Sequence, residues 1–163
     1  MKTLIPLFLL AAVLVSPAVF SQKDAGSSAR ATREDDVREV VFRYEFKVLA
    51  RAADFYFIGI DNKNPSDEFL ARFRNDVPIV RPISDARHEK KPLATIVDKR
   101  TEKDGIIFRT GAIRWTSETH ADVEGGYECG DLCDATTGTY GVTRQGDHWV
   151  VDSFTPSATS GKS

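Results

Sequence analysis

Apolar residues first show a regular spacing between residues 32 and 52. They recur there at steps of three and four, the spacing of one face of an α-helix, at Val37, Val40, Val41, Tyr44, Val48 and Ala52. Thr32-Arg33-Glu34-Asp35 fits a capping box, which predicts that the helix begins at Thr32. Because Phe42, Phe46 and Leu49 widen the apolar face, we expect a sheet to wrap around this helix.

Shorter segments follow the helix. Phe55 to Ile60 is aromatic or β-branched on both alternations, which predicts a buried strand. Asn64-Pro65-Ser66-Asp67 predicts a second, short helix with its first residue as the N-cap. Prolines restrict any strand at 77–83 to a sheet edge. The charged residues 85–92 predict a loop, and Leu93 to Asp98 predicts a short strand.

The C-terminal half alternates apolar and polar residues, the pattern of strands with one buried face. The alternation over residues 113–124 predicts one strand, but residues 106–108 have the opposite parity. A β-bulge at Gly111 would reconcile the two, because one inserted residue changes which face is buried. Residues 140–151 predict a hairpin around the turn Gln145-Gly146-Asp147.

The order of these elements predicts an α+β fold. A long N-terminal helix comes first, and most of the strands follow it as an antiparallel run, so we expect a curved antiparallel sheet wrapped around that helix. In element order alone, this arrangement resembles the nuclear-transport-factor-2-like and cystatin-like rolls. A β-sandwich is disfavoured because it leaves no place for the opening helix.

The two ends of the chain differ in composition from the body. Lys2, the apolar run from Leu4 to Val15 and the small residues before position 22 predict a cleaved signal peptide at residues 1–21. An uncleaved membrane anchor is the alternative, but the run is shorter than the roughly 20 residues that a spanning helix needs. The first cysteine is Cys129, so no lipoprotein cysteine lies near the cleavage point. We expect a secreted or periplasmic protein without a membrane span.

The mature chain is expected to hold one domain. Residues 22–31 and 155–163 are small and polar and predict a disordered leader and tail, which leaves a single α+β domain at residues 32–154. The whole chain has 22 Lys and Arg against 24 Asp and Glu, a formal net charge of −2. That balance argues against a nucleic-acid binder, which usually carries a basic excess.

The two cysteines lie close together, in Tyr127-Glu128-Cys129-Gly130-Asp131-Leu132-Cys133. An oxidising compartment favours a disulfide between Cys129 and Cys133. A zinc site would need further ligands from His88, His120 or His148, and their spacing does not support one. A redox dithiol usually has two residues between its cysteines at a helix start, whereas three residues separate these in strand-like sequence.

Several segments resemble a group of small exported bacterial proteins with no assigned activity. The most specific are the loop Tyr127-x-Cys129-Gly130-x-Leu132-Cys133 and the hairpin segment Gly146-Asp147-His148-Trp149-Val150-Val151. Residues 65–73 and Ile113-Arg114-Trp115 are also similar. The resemblance implies export and a shared fold, and it brings no catalytic residue with it.

The sequence predicts no catalytic residue, metal or cofactor, because it has no nucleophile elbow, phosphate loop or dinucleotide glycine pattern. A roll often leaves an open mouth between helix and sheet, and concave pockets are the usual ligand sites. Tyr44 and Trp115 are candidates to line such a mouth, and an inward-facing Asp54 would permit acid–base chemistry of the kind that ketosteroid isomerase uses. The alternative is a filled core, since aromatic residues mostly supply core packing.

The functional expectation is an exported, non-enzymatic domain that binds an unknown protein or small ligand. The alternatives are a cofactor-free, roll-type enzyme with a pocket acid, and a purely structural accessory domain.

Overall fold

The computed structural model describes residues 22–49, 52–90 and 92–157, with side chains from residue 27 onward. The predicted signal peptide lies outside the described residues. The helices are α1 (Gln22–Leu49) and α2 (Asp67–Ala71). The strands are β1 (Phe55–Ile60), β2 (Ile79–Pro82), β3 (Ala86–Glu89), β4 (Thr95–Asp98), β5 (Gly105–Trp115), β6 (His120–Glu128), β7 (Thr136–Gln145) and β8 (His148–Pro156). Within these ranges, no helix is long and apolar enough to cross a bilayer.

Six strands form one curved, open sheet in the order β2-β1-β5-β6-β7-β8, and β3 and β4 form a separate small sheet. The predicted α+β class is confirmed. Strands β5 to β8 are antiparallel, but β1 is parallel to both β2 and β5. The prediction of a wholly antiparallel sheet is therefore wrong at this end. The long connection between β1 and β5, which includes α2 and β2 to β4, returns the chain to the end where β1 began, as parallel pairing requires.

The predicted shared interior of α1 and the sheet is confirmed. Val37 and Val41 of α1 are fully buried in a cluster with residues of β6 and β7. Phe42 is fully buried in a second cluster with residues of β1 and β5. The predicted apolar face is wrong at its C-terminal end, where Val48 is 58% exposed. There the inward position belongs to Phe46, whose ring centroid lies 4.8 Å from those of both Tyr56 and Phe108.

Helix α1 begins at Gln22, well before the predicted capping box. The leader that was predicted to be disordered is therefore helical. Thr32 lies inside the helix, where its hydroxyl donates to the Ser28 carbonyl at 3.1 Å, and Arg30 pairs with Glu34 at 2.9 Å. Extending an existing helix costs far less free energy than nucleating one, so the packed part of α1 propagates towards its N-terminus.

The segment between β1 and β5 differs in detail from the prediction. Ser66, rather than Asn64, caps α2, and its Oγ accepts a hydrogen bond from the Phe69 N–H at 3.1 Å. Asn64 instead exchanges two hydrogen bonds of 3.0 Å with Ser84. Strand β2 lies at the sheet edge, as its prolines predicted. The charged segment predicted to be a loop contains strand β3, which pairs with β4. Ile96 of β4 packs on the outer face of the main sheet.

The predicted β-bulge at Gly111 is confirmed, since the register of β5 against β6 shifts between Thr110 and Ile113. The single strand predicted over residues 113–124 is wrong, because residues 116–119 form a turn between β5 and β6. Odd-numbered residues face the core both before and after this turn, so the alternation of apolar and polar residues runs through it without a break. The predicted hairpin is confirmed as β7 and β8. Strand β8 extends to Pro156, so the first residues of the tail predicted to be disordered belong to a strand. Residues 158–163 of that tail are not among the described residues.

Cys129 and Cys133 lie at disulfide distance, as the predicted bond requires, with 5.7 Å between the two Cα atoms. The loop that it closes docks against Ala94, just before β4. The Asp131 N–H donates to the Ala94 carbonyl at 2.6 Å, and the Asp131 carboxylate accepts the Ala94 N–H at 2.8 Å. Gly130 has a φ of +64°, and a Cβ there would lie 2.1 Å from the Ala94 oxygen. The disulfide therefore stiffens the loop that fastens the small sheet to the main one.

We expect the double variant Cys129→Ser/Cys133→Ser to lose about 2 kcal/mol of unfolding free energy, the chain-entropy value for a ring of this size. Urea denaturation of the oxidised protein and the variant measures the difference. Reductant should lower the stability of the wild-type protein and leave the variant unchanged. Mass measurement should show two hydrogens gained on reduction, and free thiols in protein from an oxidising compartment would contradict the prediction.

Candidate functional site

Two of the three predicted pocket residues lie together. Tyr44 and Trp115 belong to the same cluster between α1 and the sheet, and Tyr44 packs edge-on against Tyr140 at 5.9 Å between ring centroids. Asp54 is exposed before the start of β1, with its carboxylate 3.7 Å from the Lys103 ammonium. The acid–base chemistry considered for Asp54 required its carboxyl to face inward, and it does not.

A cleft of about 390 Å³ opens between α1 and the tip of the β7–β8 hairpin. We call it the hairpin cleft. Its α1 wall consists of residues at steps of three and four, which one helix face brings into line. Its opposite wall comes from the hairpin turn and the start of β8. The lining residues are Asp36, Glu39, Val40, Arg43, Asp147, His148 and Trp149.

The aromatic part of the hairpin cleft is a pair of tryptophans. Trp149 lines the cleft, and Trp115 packs edge-to-face against it with 5.6 Å between ring centroids. These are the only two tryptophans in the chain. The guanidinium carbon of Arg33 lies 4.4 Å from the centroid of the Trp115 ring. The sequence predicts the hairpin that carries Trp149 but not the cleft, because the cleft depends on where α1 packs on the sheet.

Two arginines hold the α1 wall of the hairpin cleft in place. Arg72, just after α2, donates to Asp36 at 2.7 Å and to Glu39 at 2.9 Å. Arg43 donates to Glu39 at 2.8 Å, to Asp76 at 2.8 Å and to the Arg72 carbonyl at 3.0 Å. The ion pair between Glu39 and Arg43 is the one that their i,i+4 spacing predicts. Single exposed pairs contribute little stability, but a connected network fixes the geometry of the wall.

The rim of the hairpin cleft is formed by the β7–β8 turn. Gly146 has a φ of +66° there, a conformation that glycine adopts without strain. Asp147 is fully exposed, and its carboxylate lies 3.1 Å from Nδ1 of His148. That hydrogen bond holds the pKa of Asp147 below its usual range. The rim therefore carries an ionised carboxylate at neutral pH.

Glu45 is a buried acid that the sequence analysis missed. It is 1% exposed, and neither carboxyl oxygen has a hydrogen-bond partner in the described part of the chain. Burial raises the pKa of Glu45 well above the ordinary glutamate value, and the nearby Tyr140 hydroxyl opposes this shift in part without reaching hydrogen-bond geometry. Burial, followed by the influence of Glu45, also raises the pKa of Tyr140. Both shifts favour the neutral form of the group.

A signal for Glu45 was present in the sequence. It follows Val37 and Val41 at four-residue steps, which places it on the face of α1 that packs on the sheet. A glutamate at that position means either that the predicted apolar face is wrong there or that the acid is buried.

A larger cavity of about 440 Å³ lies on the outer face of the sheet around the bulge at Gly111. Apart from Ala112, its lining is polar or glycine, with Asp61, Arg109 and Glu124 as the charged members and no aromatic side chain. Ligand sites usually combine an apolar or aromatic wall with a few polar groups. The hairpin cleft has that combination and is therefore the stronger candidate despite its smaller volume. In the described ranges, no group of three or more His, Cys, Asp or Glu side chains is arranged to hold a metal.

Comparisons with known proteins gave no match. No family model matches the chain, and no curated protein or solved structure matches it significantly.

We expect Glu45→Gln to flatten the pH dependence of stability. The folded pKa of Glu45 is raised, so its contribution to stability is complete below the unfolded pKa, near 4.5, and is lost as the pH rises towards the folded pKa. Urea denaturation of both proteins at a series of pH values above 4.5 measures the slope. The control Glu118→Gln, in the exposed β5–β6 turn, should keep the wild-type slope. An unchanged slope in Glu45→Gln would contradict the prediction.

Proposed function

We propose that this chain is an exported, non-enzymatic domain that binds a ligand in the hairpin cleft. The observation that carries the proposal is Trp149, which lines an open cleft of about 390 Å³ and is backed by Trp115. An aromatic wall with a few fixed polar groups is the usual composition of a ligand site. The volume suits a small molecule or one or two side chains of a protein partner.

Binding without catalysis is favoured by the state of the charged side chains in the cleft. Asp36 and Glu39 accept charge-assisted hydrogen bonds from Arg72, and Arg43 is bound to three protein acceptors. Groups held in this way orient a ligand, whereas a general acid or base needs a pKa near the working pH. Two carboxyl groups of α1, those of Asp35 and Glu45, have a pKa raised by burial, and neither residue lines the hairpin cleft.

Export is proposed on two features. The disulfide between Cys129 and Cys133 suits an oxidising compartment, and the N-terminal sequence has the pattern of a signal peptide. We also propose that the fold is a nuclear-transport-factor-2-like roll, or else a cystatin-like one, because a long N-terminal helix packs on one face of a curved sheet.

The second candidate is a cofactor-free, acid–base enzyme with Glu45 as its acid. It is favoured by one observation, a buried carboxyl with a raised pKa and no hydrogen-bond partner in the described part of the chain, near the Tyr140 hydroxyl. Such a carboxyl could donate a proton or a hydrogen bond to a substrate that reached it. If turnover is found, Glu45→Gln should abolish it while ligand binding at the hairpin cleft is retained.

We expect ligands from a metabolite panel to act through Trp149. Compounds that raise the melting temperature should shift the Trp149 indole N–H signal, one of only two indole signals in the NMR spectrum. Trp149→Ala should weaken their binding about tenfold or more, because buried aromatic anchors carry most of a site's binding free energy. Val150→Ala is the matched control, since Val150 lies on the opposite face of β8. Stabilising compounds that bind Trp149→Ala as tightly as the wild type would contradict the proposal.

We expect the chain expressed in a bacterium to be exported and to begin at Gln22. Intact mass measurement of the extracytoplasmic protein reads the cleavage point directly. Replacement of Leu9 and Leu10 by charged residues should keep the protein in the cytoplasm, because it interrupts the apolar run. Export of the intact, uncleaved chain would contradict this part of the proposal and favour a membrane anchor.

A further inference from the structure

The hairpin cleft carries more negative than positive charge. Three carboxylates line it, from Asp36, Glu39 and Asp147, against two guanidinium groups, that of Arg43 in the lining and that of Arg72, which pairs with Asp36 and Glu39. His148 at the rim is already directed towards Asp147, with 3.1 Å between Nδ1 and the carboxylate. A charged ligand therefore meets a negative field, which favours the approach of cations and opposes that of anions.

The hydrogen-bond inventory of the hairpin cleft points in the same direction. All three guanidinium nitrogens of Arg43 are bound to protein acceptors, on Glu39, Asp76 and the Arg72 backbone. The side chains of Arg43, Asp36 and Asp147 are 41%, 45% and 99% exposed, so the most exposed of the three is a carboxylate. Ionised carboxylates only accept hydrogen bonds. Arg43 already uses three of its five N–H donors within the protein, whereas the Asp36 and Asp147 carboxylates are open to a ligand that supplies donors.

The tryptophan pair already binds one cation of the protein itself. The Arg33 guanidinium lies over Trp115, 4.4 Å from the ring centroid, while Trp115 contacts Trp149. In the described chain, the other cation–π contacts are to three phenylalanine rings, and Trp149 has none. Tryptophan is the best aromatic partner for a cation. The Trp149 ring in the cleft is thus left for a cation that the protein does not supply.

From these three observations we infer that the ligand of the hairpin cleft is an organic cation, with an ammonium or guanidinium group on a flat or apolar body. The cationic group binds between Asp36, Asp147 and the Trp149 ring, and the apolar body covers Val40. This inference rests on the proposed function, because it assigns a ligand class to the same cleft.

The experiment uses three probes that share a phenyl ring and differ in charge. They are phenethylammonium, neutral 2-phenylethanol and anionic 3-phenylpropanoate, each titrated into the labelled protein at low ionic strength. The Trp149 indole N–H signal is the readout, and Trp115 serves as an internal reference. We expect the ammonium probe to bind about tenfold more tightly than either of the others, and its advantage to shrink in high salt.

Charge-removing variants test whether the named carboxylates are responsible. Asp147→Asn should reduce the affinity for phenethylammonium about threefold to tenfold and leave that for 2-phenylethanol unchanged. Asp36→Asn should act in the same direction, and it leaves Glu39 to hold Arg72. The matched control is Asp134→Asn, at an exposed position just after Cys133, which should change neither affinity.

The outcomes separate the ligand class from the cleft itself. Equal binding of the three probes, or tighter binding of the neutral or anionic one, overturns the inference of a cationic ligand and leaves the proposed ligand cleft intact. If no probe moves the Trp149 signal, the inference fails. If the stabilising panel compounds also leave that signal unmoved, the proposed function fails with it.

Discussion

The fold depends on the burial of one face of α1 against the sheet. Val37, Val41 and Phe42 of α1 are completely buried, and the two apolar clusters on this face of the sheet both include residues of α1. Each such side chain contributes about 1.5–3 kcal/mol of burial free energy. Glycines on the sheet make the contact possible. A Cβ at Gly125 would lie 3.0 Å from the Tyr140 ring, and one at Gly138 would lie 2.5 Å from the Phe154 ring. Without side chains there, the two rings lie against the strands and leave room for the helix.

The same contact explains where the hairpin cleft opens. The described residues of α1 are exposed from Ser27 to Thr32, and the helix becomes buried only at Val37, so it approaches the sheet at the end where β7 turns into β8. The hairpin cleft lies beside this contact, since α1 lines it with residues from Asp36 to Arg43 while Val37 and Val41 are buried on the sheet. The ion pairs of Arg43 and Arg72 then tie α1 to the segment after α2, so the wall of the cleft does not depend on the hairpin for its position.

Features set by local sequence could be predicted, and those set by distant contacts could not. The limits of β1, the bulge at Gly111 and the β7–β8 hairpin follow from alternation and turn residues, which are local signals. The parallel pairing of β1 depends on a connection of more than forty residues, which no local pattern encodes. The turn at residues 116–119 was hidden because it preserves the alternation.

The same distinction applies to the candidate site. Tyr44 and Trp115 pack against the same cluster because both lie on apolar faces of their elements. The ion-pair partners Arg72 and Asp76 come from a segment whose position relative to α1 is decided by tertiary packing. Asp54 was considered for an interior role because it adjoins a buried strand. It lies one residue before that strand, where the chain is still exposed.

Two glutamates of α1 show why binding at the cleft is favoured over chemistry in the interior. Glu39 is partly exposed and paired with two arginines, whereas Glu45, on the buried face, is unpaired and has a raised pKa. A substrate could reach the Glu45 carboxyl only if α1 separated from the sheet, because that carboxyl is enclosed by the contact on which the fold depends. Such a movement would expose Val41 and Phe42 and cost several times the burial free energy of one side chain. The hairpin cleft requires no such movement, since it is open while both apolar clusters are intact.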